Sequence, residues 1–396
     1  MNYKYASVVP LIGGETIAMQ NVFGRRPEYI LSYSAFKAND SQLLNHYNNE
    51  VPYHVIDEGN GRSDSVDVVN AVCPCAGLSS LSPSASIDNK ANNWMIESAE
   101  YVLTNIKPKV FWGENAPRLA SKMGKPIVDQ LRKLAKDNGY TMSLYKTKSK
   151  LHGLSQTRDR SFYFFWKGDS IPIFPFFRRP HEKIEDTIIN AYVDENDPMN
   201  VLVNTNKPTD NPFYRFVLEE LEGGITHSQF QEKIERSINP LDYLENHGIK
   251  YDKVAKWMTA HKYDKQAKRC EEIYEKLENG GNIMRKITEI PKNYIGAFVG
   301  HMPTCLTHPI EDRYLTVREC LSIMKMPSDF QLVGGKKNLN MICQNVPVTT
   351  AEDMSRTILD WLDGKLNTKK AEFGVFDNKK QTYEFKEKPQ TLESFI

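Results

Sequence analysis

The sequence predicts an α/β protein: a mostly parallel, twisted sheet covered by helices, with a second, smaller domain of mixed structure. Strand-like and helix-like segments alternate over residues 7–166, as they do when helices cover both faces of a parallel sheet. Residues 68–72 are largely apolar, which is typical of a strand buried on both faces. After Gly168 the pattern changes to clustered prolines and polar segments, which indicates the second domain.

Each element follows from local periodicity and turn residues. Short runs of apolar, β-branched and aromatic residues predict strands over residues 7–12, 29–34, 51–56, 68–72, 110–112, 140–145 and 161–166. Apolar residues at helical spacing predict helices over residues 17–23, 41–47, 94–105, 127–138, 226–237, 251–280 and 350–362. The expected domains are residues 1–169, 170–330 and 331–396, the last returning to the first domain. We expect the charged tail beyond Asp363 to be loosely held.

The composition predicts a globular protein and gives no sign of a zinc-binding, secreted or membrane-spanning one. A chain of 396 residues with 40% hydrophobic and 26% charged residues is typical of a globular protein with a sizeable core. Its net charge of +1 gives no global attraction to nucleic acid, so any basic binding surface must be local. The six cysteines lack the paired spacing of a zinc site, and no metal is expected. Without a signal peptide or membrane span, a cytoplasmic location is expected.

A cysteine directly follows the clearest strand. Pro74 stops the apolar run, and Cys75 comes next. Ligands of open α/β sheets bind beyond the carboxyl ends of strands, so this thiol would stand at the mouth of a site. The small and hydroxylated residues that follow, through Ser79, suit a loop lying close to a ligand. The alternative is that Cys75 is an ordinary buried small residue.

Two more polar segments adjoin predicted strands. Glu114-Asn115 ends one strand, and residues 156–160 (Gln-Thr-Arg-Asp-Arg) precede another. A carboxyl group beside a nucleophilic thiol could donate a proton or anchor a substrate, and nearby arginines would favour the thiolate. Arg158 and Arg160, spaced by one residue, project to one face. Alone, each segment could be a solvated turn or an exposed basic strand, but in this order all three could line one pocket.

The order and spacing of these segments resemble the DNA cytosine-5 methyltransferase family. Pro74-Cys75 is similar to its Pro-Cys nucleophile motif, Glu114-Asn115 to its Glu-Asn motif, and residues 156–160 to its Gln-x-Arg-x-Arg motif. Later blocks also resemble the family: Lys107-Pro108-Lys109, residues 313–319, residues 326–330 and Asn345-Val346-Pro347-Val348. The resemblance runs from about residue 7 to residue 362 and leaves the variable middle unmatched.

The resemblance implies a Rossmann-like S-adenosylmethionine-dependent methyltransferase fold with a target-recognition domain over residues 170–330. It also implies that the Cys75 thiolate adds to C6 of a flipped-out cytosine while Glu114 binds N3 and the exocyclic amine. Arg158 or Arg160 would bind the O2 edge or a phosphate. The residues expected to line the base pocket are Pro74, Ala76, Ser79, Asn115 and Gln156.

The family's cofactor motifs are less well kept than its chemistry motifs. The residues expected around S-adenosyl-L-methionine are Val9, Leu11, Gly13, Gly14, Ser34, Asp57, Pro74, Asn345 and Val346. Val9 and Leu11 replace an aromatic residue and a glycine, and Ser34 stands where an acidic residue is expected. Ala76 replaces the glutamine that usually follows the cysteine, and Gln344 replaces a glycine.

These departures leave alternatives open. The enzyme could have an altered cofactor pocket, it could act on cytosine in tRNA, or the chain could be a non-catalytic DNA-binding or regulatory homologue. The kept chemistry residues favour a DNA (cytosine-5-)-methyltransferase. Its expected partner is duplex DNA, bound as a monomer, and a cognate restriction endonuclease is a candidate second partner.

Overall fold

A computed structural model of the chain describes residues 3–74, 77–79, 86, 88–281 and 288–386. Its strands are β1 (Tyr5–Val8), β2 (Ile30–Ser32), β3 (Tyr53–Val55), β4 (Val68–Val72), β5 (Val110–Asn115), β6 (Tyr140–Lys148), β7 (Asp159–Lys167), β8 (Ser170–Pro172), β9 (Thr368–Lys370), β10 (Phe373–Asp377) and β11 (Thr382–Lys386). Its helices are α1 (Gly14–Phe23), α2 (Lys37–His46), α3 (Asn93–Tyr101), α4 (Lys125–Asp137), α5 (Ile184–Ile189), α6 (Pro212–Phe216), α7 (His227–Lys233), α8 (Pro240–Asn246), α9 (Tyr251–Ala260), α10 (Asp264–Glu278), α11 (Met302–Cys305), α12 (Val317–Ile323), α13 (Leu339–Gln344) and α14 (Val348–Leu362).

One sheet of nine strands organises the described part of the first compact unit. Its strand order is β3-β2-β1-β4-β5-β7-β6-β10-β11. The pairs from β3 through β5 are parallel, β7 runs antiparallel to both β5 and β6, and β10 is parallel to β6. This mostly parallel sheet, with its crossover helices, confirms the predicted fold class.

The chain forms two compact units. The first comprises the chain through His181, the short segment Met324–Met326 and the chain from Asn345 onward; the second comprises Glu182–Ile323 and Pro327–Gln344. The first boundary therefore lies beyond the expected position at 169/170. The reason is that β8 pairs with β9 and Phe174 packs against Tyr145, which keeps this stretch with the sheet.

Three local expectations were wrong. The first strand ends at Val8, because the next residues turn, with Val9 and Leu11 at positive φ. The helix expected over residues 251–280 is two helices, separated at Lys262, whose φ is 64°. The tail beyond Asp363 is not loose as far as Lys386, since it forms β9, β10 and β11, and β10 pairs with β6 along five residues; residues 387–396 lie outside the described part of the chain. None of the helices in the described ranges is both long and apolar enough to span a bilayer.

The second unit has its own hydrophobic core and a buried ionic network. Aromatic and aliphatic side chains of α6 to α10 form the core, with Tyr214, Val254 and Met258 fully buried. The block at residues 313–319 caps α12: the Thr316 N–H donates to Glu319 Oε2 (2.7 Å), and the Glu319 N–H donates to Thr316 Oγ1 (3.2 Å). This block therefore has a structural role within its own unit.

Arg318 is held by Asp197 in a two-point ion pair. Its Nε lies 2.6 Å from Asp197 Oδ2 and its Nη2 lies 3.0 Å from Oδ1, and both side chains are at most 5% exposed. A third donor, Nη1, bonds the Phe330 carbonyl at 3.0 Å. Removing the carboxylate would leave a buried cation without its counter-charge.

We therefore expect Asp197→Ala to lower the free energy of unfolding by about 3 kcal/mol in urea titrations. Glu195→Ala is the matched control, because Glu195 is an exposed acid of the same loop, and it should change stability by less than about 0.5 kcal/mol. Hydrogen bonding from Arg318 lowers the pKa of Asp197 below 3.8, so the contribution should be present at neutral pH. It should be lost as the pH falls through the lowered folded-state pKa. Equal stability of the two variants at pH 7 would contradict this role.

Candidate active site

The carboxyl ends of β1 to β5 lie at one edge of the sheet, and the residues expected to be functional follow them. Glu114 and Asn115 end β5, and Pro74 follows β4. Because β7 is antiparallel to β5, its amino end lies at this same edge: Ser161 pairs with Asn115 and Phe162 with Glu114. The strand directions thus bring the 156–160 segment to the edge at which β5 ends.

Glu114 forms a buried ion pair with Arg160. The Arg160 Nε contacts Glu114 Oε1, and the two side chains are 11% and 4% exposed. Arg158 is also buried, with 1% of its surface exposed. Burial raises the pKa of Glu114 above its ordinary value, although Arg160 and Arg158 act to lower it. A carboxyl group beside two guanidinium groups can bind a planar polar ring through several hydrogen bonds.

The residues beside this pair make local contacts. Asn115 is buried, and its Oδ1 accepts from the Ala116 N–H at 2.8 Å. Gln156 is fully buried, and its Nε2 lies 3.3 Å from Met324 Sδ. The Ser79 carbonyl accepts from Arg118 Nη1 at 3.4 Å. The contact of Asn115 and Gln156 with a base stays a prediction.

Cys73, the first residue after β4, is buried. Cys73 lies against the Trp94 carbonyl and Ser98 Oγ, at 3.5 and 3.7 Å, and burial raises the pKa of its thiol to about 12. Such a thiol stays protonated at neutral pH. Pro74 is half-buried, while Cys75 and Ala76 lie outside the described residues. The nucleophile assignment for Cys75 thus rests on its place in the chain.

The turn after β1 adopts unusual backbone angles. Val9, Leu11 and Gly13 have φ of 47°, 54° and 96°, in or near the left-handed region. Gly14 donates its N–H to Asn345 Oδ1 at 2.9 Å, and a Cβ at position 14 would lie 2.0 Å from the Val346 carbonyl oxygen. Glycine is therefore required at position 14. Gly14, near the amino end of the chain, therefore contacts Asn345, near the carboxyl end, and both residues were expected around the cofactor.

Ser34 and Asp57 also meet, at the ends of β2 and β3. The Ser34 N–H and hydroxyl donate to the two carboxylate oxygens of Asp57, at 2.8 and 2.6 Å. Slight burial acts to raise the pKa of Asp57, but these two hydrogen bonds hold it below its ordinary value. Asp57 is thus an ionised, exposed carboxylate in a fixed orientation.

Sequence reasoning missed three features of this edge. Trp94, half-buried at the start of α3, packs against Tyr33 and Phe36, with ring centroids 4.6 and 5.2 Å apart. Glu15 is fully buried, and burial, aided by the charge of Glu114, raises its pKa well above the ordinary value. Asp40 is fully buried in α2. Glu15 directly follows the glycine pair, which was a usable signal, but Asp40 and Trp94 lie in ordinary helical patterns.

Within the described ranges, no three His, Cys, Asp or Glu side chains gather as a metal site.

Solved structures share this fold across nearly the whole chain. A protein described as a DNA modification methyltransferase of an E. coli prophage matches with a TM-score of 0.57 and 13% identity, over 91% of this chain and 99% of that one. The methyltransferase EhMeth of Entamoeba histolytica matches with a TM-score of 0.53 and 12% identity, over 91% and 99% of the two chains. No curated protein sequence matches the chain significantly.

These likenesses confirm the S-adenosylmethionine-dependent methyltransferase fold. The family model for C-5 cytosine-specific DNA methylases matches residues 6–360. That range includes every motif from the glycine turn to α14. The chain therefore belongs to the C-5 cytosine-specific DNA methylase family.

Proposed function

We propose that the protein transfers a methyl group from S-adenosyl-L-methionine to carbon 5 of cytosine in duplex DNA. The observation that carries this proposal is the buried Glu114–Arg160 ion pair at the sheet edge where β4 ends, shortly before Pro74 and Cys75 in the chain. Cytosine presents N3, an exocyclic amine and O2 along one edge. A carboxyl group beside guanidinium groups complements that edge and would disfavour thymine, which lacks the amine.

Cys75 would act as the nucleophile. Carbon 5 of cytosine reacts poorly with a methyl group, because attack would break the conjugation of the ring. Addition of the Cys75 thiolate to C6 places electron density on C5, while Glu114 stabilises the charge that moves toward N3. Once C5 has taken the methyl group that the cofactor would supply, which leaves S-adenosylhomocysteine, loss of the C5 proton to a base and elimination of the Cys75 thiolate would restore the aromatic ring.

Access to C5 and C6 requires the base to leave the duplex. Stacked neighbours cover the ring faces, so we propose that the target cytosine flips out, at a cost of a few kcal/mol. We propose that the second unit, with its separate core, reads the neighbouring bases. The lysines at 253, 256, 262, 265 and 268 give it a local basic surface, in a chain of net charge +1.

The residues at the ends of β1, β2 and β3 fit S-adenosylmethionine. The ionised Asp57 carboxylate, oriented by Ser34, could accept hydrogen bonds from hydroxyl or amine groups. The half-buried Phe36 and Trp94 rings offer the aromatic surface that Val9 does not. The cofactor, when bound, would supply an electrophilic methyl group. Asn345 would fix the Gly13-Gly14 turn that holds it.

The first prediction concerns the nucleophile. With tritiated S-adenosylmethionine and mixed-sequence duplex DNA, the protein should label cytosine C5, and Cys75→Ala should lower the rate by more than about a thousandfold. Cys73→Ala is the matched control and should stay within about threefold of the wild type, because that thiol is buried and protonated. Labelling of tRNA and not DNA would move the substrate to RNA. Full activity of the Cys75 variant would remove the covalent step.

The second prediction concerns Glu114 and pH. Glu114→Gln should lower the rate by about a hundredfold, because an amide cannot transfer a proton to N3 as a protonated carboxyl group can. Burial raises the pKa of Glu114, so a protonated fraction persists above the ordinary carboxyl range. The wild-type rate should therefore fall as the pH rises through this raised pKa, and the variant should lack that fall. Glu97→Gln, at an exposed position of α3, is the control; matching pH profiles for Glu114→Gln and wild type would contradict the role.

The third prediction concerns the cofactor carboxylate. Asp57→Asn should weaken S-adenosylmethionine binding about tenfold in calorimetry, because the amide keeps its size but loses its charge. Asp64→Asn, an exposed acid outside the site, should bind normally. Equal affinities for both variants would exclude Asp57 from the cofactor site.

A further inference from the structure

Leu11 has a backbone conformation that leucine rarely adopts. Its φ is 54°, and its side chain is 5% exposed. In the left-handed region a Cβ atom crowds the backbone, so glycine is the residue that usually stands there. Leu11 also lies where the family pattern has a glycine. Something outside the turn must therefore hold the backbone in this shape.

Asp40 makes the contact that can hold it. The Leu11 N–H donates to Asp40 Oδ1 at 3.2 Å, and the Tyr53 hydroxyl donates to Asp40 Oδ2 at 3.0 Å. Asp40 is fully buried, and its hydrogen bond from Leu11 forms away from water. One carboxyl group thus joins the turn after β1 to α2 and to β3.

The same helix supports the turn at a second point. A Cβ placed on Gly13 would lie 2.4 Å from Leu43 Cδ1, so α2 packs directly against the turn. Burial raises the pKa of Asp40 to about 7, against the effect of its hydrogen bonds. Burying a carboxyl group costs free energy, and the hydrogen bonds from Leu11 and Tyr53 offset that cost.

We propose that Asp40 is the positioning residue of the cofactor turn, residues 9–14. Its hydrogen bond from the Leu11 N–H stabilises a positive φ that a glycine at this position would adopt without strain. This inference rests on the proposed function in one respect, namely that the turn holds S-adenosylmethionine. Asp40 contacts the turn and β3, so it acts on the cofactor through the shape of the backbone.

Four variants separate this role from general support of the fold. Asp40→Ala removes the acceptor, whereas Asp40→Asn keeps the size and an oxygen that can accept from Leu11. Leu11→Gly and Leu11→Ala both remove the leucine side chain, but glycine tolerates a positive φ and alanine does not. Ser41→Ala, at the next position of α2, is the control, because the Ser41 hydroxyl donates within the helix, to the Ala38 carbonyl.

The first measurement needs no cofactor. Amide hydrogen exchange of a peptide covering residues 9–14 should be about tenfold faster in Asp40→Ala and within about twofold of wild type in Asp40→Asn and Ser41→Ala. At the other amides of the turn, the Asp40→Ala change should accelerate exchange in the Leu11→Ala background and have a smaller effect in the Leu11→Gly background. Unchanged exchange in Asp40→Ala would overturn the proposal.

The second measurement uses S-adenosylmethionine itself. Asp40→Ala should raise its Kd and KM about tenfold while kcat stays within about twofold, and Leu11→Gly should suppress that loss where Leu11→Ala does not. If wild type does not bind the cofactor but hydrogen exchange changes as expected, the proposed function fails and the positioning role of Asp40 stands. If wild type and Asp40→Ala bind the cofactor equally well, the positioning role of Asp40 fails and the proposed function is unaffected. Should Asp40→Ala not fold, restored folding in Asp40→Ala/Leu11→Gly supports the role, and continued unfolding contradicts it.

Discussion

The buried contact between the Glu114 carboxylate and the Arg160 guanidinium is the interaction on which the site depends. Two charges are stable at so small an exposure only when each compensates the other. Their meeting follows from one topological feature: β7 runs against β5, so its amino end reaches the edge where the parallel strands finish. In a wholly parallel sheet, Arg160 would lie at the opposite edge from Glu114.

The turn after β1, which we propose holds the cofactor, is stabilised in a different way, by hydrogen bonds to residues that are distant in the sequence. Here the sequence departs from the family pattern, and side chains from distant parts of the chain hold the turn after β1. Asn345 accepts from the Gly14 N–H across 331 positions of sequence, and Asp40 accepts from Leu11 across 29. Ser34 and Asp57, each expected singly, orient one another. The shape of this turn therefore depends on long-range contacts as well as on the residues within it.

The sequence predicted the sheet and the polar strand ends because both are local properties. Alternating strands and helices fix the fold class, and Glu114, Asn115 and Pro74 directly follow or end apolar runs. What could not be predicted depends on long-range packing. The burial of Asp40 and the position of Trp94 require knowledge of which faces meet, and the pairing of β10 with β6 joins residues more than 200 positions apart. The division of α9 from α10 at Lys262 follows one positive φ that no residue type signalled.

The most direct test of the central claim is whether one sulfur atom bonds to the base. Incubation with S-adenosylmethionine and duplex DNA carrying 5-fluorocytosine should stall the reaction after methyl transfer, because fluorine at C5 cannot leave as a proton does. Mass spectrometry of the digested complex should then find the nucleotide on the peptide that contains Cys75, and the yield should fall with Glu114→Gln. An adduct on another residue, or none in a preparation that methylates normal DNA, would contradict the covalent mechanism.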